Sequence, residues 1–319
     1  MPKSVRNLAS FVDKFKGKRI AVVGDLMLDH FIFGDIDRIS PEAPVPVLLA
    51  KEDTMVPGGA GNVATNLAAL GAKPVLFAVV GCDEAAPKLL AELKKRGVST
   101  AGIVVDKSRP TTQKTRVVAR NQQLVRIDRE KTDYLSPTSE KALLAIFAKM
   151  IKNFDGVAIA DYTKGVITKT ISTQVIMLAN KYKKPVIVDT KPKHAGFFKN
   201  FTLIKTNHKE AVGISGVDDI KMAGRKIQSE LGCDVLITRG AEGMALFAGK
   251  EHVNFPTQAR EVYDVVGAGD TVVAALLPAL ASGATLREAT IIANYAAGIV
   301  VGKVGTATVS PDELRESLY

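Results

Sequence analysis

The chain has 319 residues, with 43 Lys and Arg against 33 Asp and Glu, a formal net charge of +10. Its composition, 46% apolar and 24% charged, is that of an ordinary globular protein and excludes a disordered chain. Two distant cysteines, Cys82 and Cys233, exclude a disulfide framework and a cysteine-rich zinc site, the longest apolar runs are too short to span a bilayer, and the N-terminus has no secretory pattern. A reducing cytoplasm is the expected compartment. The basic balance alone permits nucleic acid, an anionic membrane or a phosphorylated substrate.

In chain order, residues 18–25 (KRIAVVGD) form a short β-branched run that reads as a buried first strand. Comparable runs stand at 74–81, 156–161, 185–189, 201–207 and 234–240. Helical patterns lie between several of them, at 61–71, 86–97, 139–151 and 168–182. This alternation implies a mostly parallel sheet with helices on both faces, an α/β fold. The last part is more helical, over 268–283, 286–303 and 311–318, the last opening on Ser310 and an acidic first turn. Two stretches break the rhythm, 30–54 and 109–128. Both read as extended strands too polar for a central sheet. In the second, Thr112, Lys114, Arg116, Val118 and Arg120 share one face by period two, and the run reverses near Asn121-Gln122. The two stretches are expected to form a separate small β-layer, a lid or an interface, on a single domain over 1–319.

The strongest chemical signal is DVVGAGD, residues 264–270. Gly267, Ala268 and Gly269 lead into an apolar helix beginning near Asp270, so free N–H groups there can bind an anion. An ordinary N-cap aspartate is the plain alternative, weakened by the second carboxylate, Asp264, across the turn. PGGAGN, residues 57–62, places tandem glycines before another helix, where backbone can approach a ligand closely. Gly59, Gly61 and Ala64 also fit a dinucleotide fingerprint, but they do not follow the first strand as that motif requires. Residues 298–304 (GIVVGKV) are one residue short of a P-loop and carry Val304 where Ser or Thr is needed; a helix end before Gly305 is the better reading. Asp25, Asp29, Asp161, Asp189, Asn207, Glu210, Thr238 and Gly240 all follow strand ends, which in an open α/β sheet suggests one shared cleft. Capping or turn roles suit each of them singly. The four histidines have no metal-ligand spacing and read as surface or packing residues.

Together these residues resemble the ribokinase family of sugar kinases, whose GG, NxxE and DTxGAGD motifs stand here as Gly58-Gly59, Asn207-His208-Lys209-Glu210 and Asp264 to Asp270, with Val265 where the family often has Thr. The resemblance covers essentially the whole chain. Strings at 24–47 (with RISPEAPVPV), 115–128, 160–165 and 300–314 look like the bacterial branch that acts on heptose 7-phosphate. The resemblance implies a three-layer αβα fold with a β-lid. It implies phosphorylation of the anomeric C1 hydroxyl of D-glycero-β-D-manno-heptose 7-phosphate by ATP, a step toward ADP-heptose and the lipopolysaccharide core. A related kinase for fructose or tagatose phosphate is the alternative; a ligand-binding relative without turnover and a nucleic-acid binder are remoter ones, since acids and bases are interspersed without a basic cluster. By the match, Asp270 is the general base and Gly267, Ala268 and Gly269 the anion turn. Asn207, His208, Lys209 and Glu210 serve ATP and Mg²⁺, with Glu210 reaching the metal through water, and Thr238, Gly240 and Asn294 line the nucleotide. Asp29, Gly58, Gly59 and Asn62 hold sugar hydroxyls, with Asp161 beside them. Asp264 and the Val266 carbonyl resemble a K⁺ site. Lys114, Arg116, Lys164 and Lys191 are the expected cations for the far phosphate, against the reading of a solvated lid face. Neither nucleic acid nor membrane is an expected partner; pairing of two subunits through the lid is. Members of this branch are often joined to an adenylyltransferase with an HxGH motif. None stands in these residues, so that activity is expected on another polypeptide or beyond them.

Overall fold

The computed structural model describes residues 3–120, 122–259, 261–303, 305 and 307–319, with side chains from residue 8 onward. Asn121 of the expected reversal and Val304 of the near P-loop lie outside the described residues.

Among the described residues the strands in chain order are β1 Arg19–Gly24, β2 Leu26–Ile39, β3 Pro46–Gly59, β4 Lys73–Phe77, β5 Val79–Val80, β6 Val104–Val105, β7 Gln113–Ala119, β8 Gln122–Arg129, β9 Gly156–Ala160, β10 Val186–Asp189, β11 Leu203–Asn207, β12 Asp234–Thr238, β13 Met244–Ala248 and β14 Glu251–Phe255. The α-helices are α1 Lys3–Asp13, α2 Ala60–Ala69, α3 Ala85–Lys95, α4 Pro137–Met150, α5 Lys169–Lys181, α6 His208–Ser215, α7 Ile220–Leu231, α8 Ala268–Ala281, α9 Leu286–Val300 and α10 Pro311–Ser317. None of the described helices is long and apolar enough to cross a membrane.

The main sheet has eight strands in the order β14-β13-β12-β11-β10-β9-β1-β4. Its strands from β4 to β12 run parallel, and β13 and β14 close one edge antiparallel. Alternation along each strand divides the core in two. Ile20 and Val22 of β1 face a cluster with α1, α2, α3, α8, α9 and α10. Ala21 and Val23 face the opposite cluster with α4, α5, α6 and α7. Three layers follow directly from strands that are apolar on both faces.

A second sheet, in the order β3-β2-β7-β8, is built from the two irregular stretches. Its long hairpin starts at Leu26, four residues before the polar stretch suggested, because Leu26, Met27 and Leu28 are still buried. β2 pairs with β7 in parallel, Asp29 opposite Lys114 and Phe31 opposite Arg116.

Chain direction from β1 switches between its neighbours β4 and β9, and such a switch point leaves a crevice beyond the strand C-termini. Two elements are crowded there. A Cβ on Gly24 would lie 2.0 Å from the Ala160 carbonyl oxygen, so β1 and β9 need glycine at this point. Gly24→Ala is expected to cost about 3 kcal/mol, at the upper end of ordinary overpacking because a backbone atom must move. A urea unfolding midpoint equal to that of the parent contradicts this reading.

Candidate active site

The crevice is assembled by the chain segments that leave β1, β9, β10 and β11, by the start of α2 and by the first turn of α8. Asp25, just after β1, is fully buried and accepts the backbone N–H groups of Tyr162, Lys164 and Val166 at 2.7, 3.0 and 3.0 Å. It thereby fixes the loop after β9. Burial pushes its carboxyl up to about 6 against those three donors, with Asp161 adding to the rise. Arg109 braces the same loop from outside, donating to the carbonyls of Lys131, Asp133 and Lys164.

Asp270 sits in the first turn of α8, behind Gly267, whose φ of 82° lets the chain turn into the helix. The carboxylate is buried and held at both oxygens: Asn62 Nδ2 donates to Oδ2 at 2.6 Å and the Tyr162 hydroxyl donates to Oδ1 at 2.5 Å. Asn66 donates to Asn62 Oδ1 at 3.3 Å, which turns the Asn62 amide toward Asp270. Thr271 donates to Asn66 Oδ1, so α2 and α8 are joined by two polar steps. Burial raises the Asp270 carboxyl, the Tyr162 bond opposes that, and the nearby Asp189 carboxylate adds to it. Of the anion-turn N–H groups, that of Ala268 is turned to the Val265 carbonyl at 3.3 Å.

Beneath the turn lies a buried ion pair that the motifs did not indicate. Lys205 Nζ donates to Asp189 Oδ2 at 2.7 Å, and the two are register partners on β11 and β10. A Cβ on Gly269 would lie 2.6 Å from that ammonium, so the glycine admits the lysine. Burial acts to lower the Lys205 pKa, but Asp189 outweighs it and raises the value. The sequence carried a signal: Lys205 shares a strand face with Leu203, where the period demands an apolar residue. Tyr162 stands in the string at 160–165, but its irregular loop has no period that would single it out.

The NxxE residues form a capping box. The Glu210 N–H donates to Asn207 Oδ1 at 2.8 Å, and the Asn207 N–H donates to Glu210 Oε2 at 3.0 Å. The other Glu210 oxygen accepts from Lys191, whose ammonium also stands 5.6 Å over the Tyr162 ring. Lys191 lowers the Glu210 carboxyl, outweighing its burial. His208 and Lys209 are exposed on the same turn. Thr238 caps the end of β12, its hydroxyl 3.4 Å from the Thr206 carbonyl. Gly240 has φ of 57° at the next turn. Asn294 is buried on α9 and donates to the Pro256 carbonyl at 2.7 Å. In the loop before α8, Asp264 Oδ1 accepts the Val266 N–H at 2.9 Å.

The second sheet and the loop after β9 bring cations to the same crevice, each with a carboxylate partner. Arg116 donates to Asp29 at 2.5 Å and lies 5.1 Å over the Phe31 ring. Lys114 pairs with Asp128 and Glu130 at 3.0 and 3.2 Å, and Lys164 reaches Glu130 at 2.7 Å. Gly58 makes room for Asp29, whose Oδ2 would lie 2.0 Å from a Cβ there. Asp161 does not join this group. Its oxygens take the Thr163 N–H, the Thr190 hydroxyl and His194 in a buried network, so its carboxylate is spent inside the fold. His194 is accordingly a core residue; its Nε2 reaches the Tyr134 hydroxyl at 3.1 Å. Among the described residues no group of three or more His, Cys, Asp or Glu could hold a metal ion alone.

The profile of the pfkB family carbohydrate kinases matches residues 18–313. Similar curated proteins include the bifunctional protein HldE of Nitratiruptor sp., 46% identical over 304 residues, covering 93% of this chain and 64% of that one. The bifunctional protein HldE of Geobacter sulfurreducens is 45% identical over 93% of this chain and 62% of its own length. The chain thus spans just under two thirds of the length of these relatives. Among solved structures, phosphofructokinase-2 from Escherichia coli in complex with potassium superposes with a TM-score of 0.76 at 20% identity, over 95% of this chain and 98% of that one. Arabidopsis thaliana ribokinase complexed with ribose and ATP gives 0.72 at 21% identity, over 95% and 99%. The fold is the ribokinase-like three-layer α/β/α arrangement.

Proposed function

Because the chain belongs to the pfkB family of carbohydrate kinases, we propose that it phosphorylates a sugar phosphate at a hydroxyl with ATP, and that the sugar is D-glycero-β-D-manno-heptose 7-phosphate, taken at C1. The observation that carries the reaction class is Asp270. A buried carboxylate in the first turn of a helix, directly behind a glycine-rich turn, lies where a hydroxyl proton and a transferring phosphoryl group would meet. The Asp270 carboxylate takes the sugar hydroxyl proton as the new O–P bond forms, the bond from the γ-phosphorus to the bridging oxygen breaks, and ADP leaves. Gly267, Ala268 and Gly269 N–H groups face the developing phosphoryl charge; the Ala268 N–H exchanges its long bond to Val265 for that oxygen. The heptose assignment is supported by the branch-specific strings at 24–47, 115–128, 160–165 and 300–314, together with the likeness to the HldE proteins.

Asp29, Gly58, Gly59 and Asn62 serve the sugar, and Thr238, Gly240, Asn294, Asn207, His208 and Lys209 the nucleotide. Mg²⁺ keeps several waters and takes one or two carboxylates besides substrate phosphates. A lone Glu210, already shared with Lys191, suits a water-mediated contact, and the lack of a three-carboxylate cluster among the described residues agrees with a metal that arrives on ATP. The metal would neutralise phosphate charge. Asp264 and the Val266 carbonyl offer hard oxygens to K⁺. The domain is single, with the second sheet as its lid. That sheet leaves Ile39, Leu49, Leu124, Val125 and Ile127 exposed, which supports a homodimer formed through it. A cytoplasmic location fits the use of ATP and a sugar phosphate.

Arg116, Lys114 and Lys164 are assigned to the 7-phosphate, which would displace or share their carboxylate partners. In a panel of sugar phosphates, heptose 7-phosphate is expected to give the highest kcat/KM. Arg116→Ala is expected to raise its KM about tenfold or more with little change for the unphosphorylated sugar. Equal change for both sugars, or none, removes Arg116 from phosphate recognition. A preference for fructose or tagatose phosphate replaces the heptose assignment.

A further inference from the structure

We propose that Tyr162 is a positioning residue for Asp270, its hydroxyl fixing Oδ1 while Asn62 fixes Oδ2, so that the carboxylate is aimed into the crevice and its ionised form is favoured. This rests on the reading of Asp270 as the base.

The arrangement has three parts. First, Tyr162 itself cannot drift. Its N–H is bonded to Asp25 at 2.7 Å, its carbonyl accepts from Thr163 at 2.6 Å, and Thr163 holds a left-handed φ of 58° that sharpens the turn. Its ring lies against Gly59, where a Cβ would come within 3.4 Å of Cδ2, and under the Lys191 ammonium. The GG motif therefore serves the tyrosine as well as any ligand. Second, the hydroxyl keeps its proton and donates it to the carboxylate. Removal from water and the charges of Asp270, Asp189 and Glu210 push the phenol well above its ordinary range, so it stays protonated. Third, Asp270 needs such donors. Burial and Asp189 favour its protonated form, and a protonated carboxyl cannot take a proton from a sugar. The groups facing it are Tyr162 from the loop after β9, Asn62 from α2, Asp189 from β10 and Lys205 from β11. Only the first two place hydrogen bonds on its oxygens; Lys205 is directed to Asp189.

Tyr162→Phe keeps the ring and removes the donor. The expected result is a kcat lower by about tenfold on the acid side of the profile, a KM for ATP within about twofold of the parent, and an acid limb of the kcat profile moved up by about one pH unit, so the deficit shrinks as pH rises. A purely structural tyrosine leaves that limb in place, and an unmoved limb overturns the proposal. Should Tyr162→Phe not fold, 3-fluorotyrosine at position 162, a stronger donor, is expected to move the limb down; no movement or an upward one overturns it equally. A second readout needs no substrate. The Asp270 pKa is higher folded than unfolded, so the folded state gains from its proton at low pH and loses that gain as pH rises through the folded value. The difference in unfolding free energy between parent and Asp270→Asn reports that crossover. Removing the hydroxyl is expected to move the crossover to higher pH. A crossover that moves in a protein that phosphorylates no sugar retains the positioning role and rejects the kinase reading; a crossover that stays put rejects the positioning role whatever the substrate.

Discussion

Asp270→Asn is expected to lower kcat with the preferred sugar phosphate by about a thousandfold, within the range that general-base catalysis contributes, while the Kd for ATP stays within about threefold. A thousandfold corresponds to about 4 kcal/mol of barrier. The substitution preserves shape and one acceptor oxygen, so either Asn62 or Tyr162 retains its bond. It also relieves the fold of a charge that burial disfavours. The variant should thus be at least as stable as the parent at neutral pH, which separates lost chemistry from lost folding. Single-turnover phosphoryl transfer and an unfolding curve on the same preparation make the check. Turnover within about tenfold of the parent removes Asp270 from the role of base.

Lys205→Met is expected to cost about 3–5 kcal/mol of stability, the usual penalty for leaving one member of a buried ion pair uncompensated. The stranded group is Asp189, buried and close to the Asp270 carboxylate. Adding Asp189→Asn removes the stranded charge, so the double variant should regain most of the loss. Urea unfolding of the four proteins of the cycle measures this coupling. Losses that simply add show that the pair contributes no mutual stabilisation. Because Gly269 rests against the Lys205 side chain, the single variant also loosens the turn ahead of Asp270, and a fall in kcat larger than in the double variant is expected with it.

Much of this arrangement was legible in the residues, for physical reasons that also explain what was not. Residues 18–25 announced β1 because a strand buried on both faces must be apolar throughout, and the helix after Gly267 announced itself by small residues followed by an unbroken apolar run. The lid-like stretches are recognisable by polar residues where a buried strand would be apolar, which is why β2 starts earlier than they suggest: its first residues are buried like those of β1, and the first polar residue is Asp29. Period two also put Lys114 and Arg116 on one face, and that face does meet Asp29. Alternation carries no information about pairing partners, so the parallel contact of β2 with β7 and the carboxylates that neutralise each cation could not be read. The hairpin of β13 and β14 passed unnoticed because residues 244–255 are short, edge-placed and mixed in character. Asn207 and Glu210 were read toward ligands; their spacing of three is also that of a capping box, and the fold uses it so. Lys205 was readable as a charged residue in an apolar register. Tyr162 was not, because an irregular loop held by Asp25 has no period to violate.

The account stands most directly on one product. With ATP, Mg²⁺ and D-glycero-β-D-manno-heptose 7-phosphate as sole acceptor, phosphorus NMR of the reaction is expected to show a second sugar phosphate coupled to the anomeric proton, formed in step with ADP. ATP consumption without a C1 phosphate, or no transfer to this sugar while another sugar phosphate is turned over, contradicts the assignment.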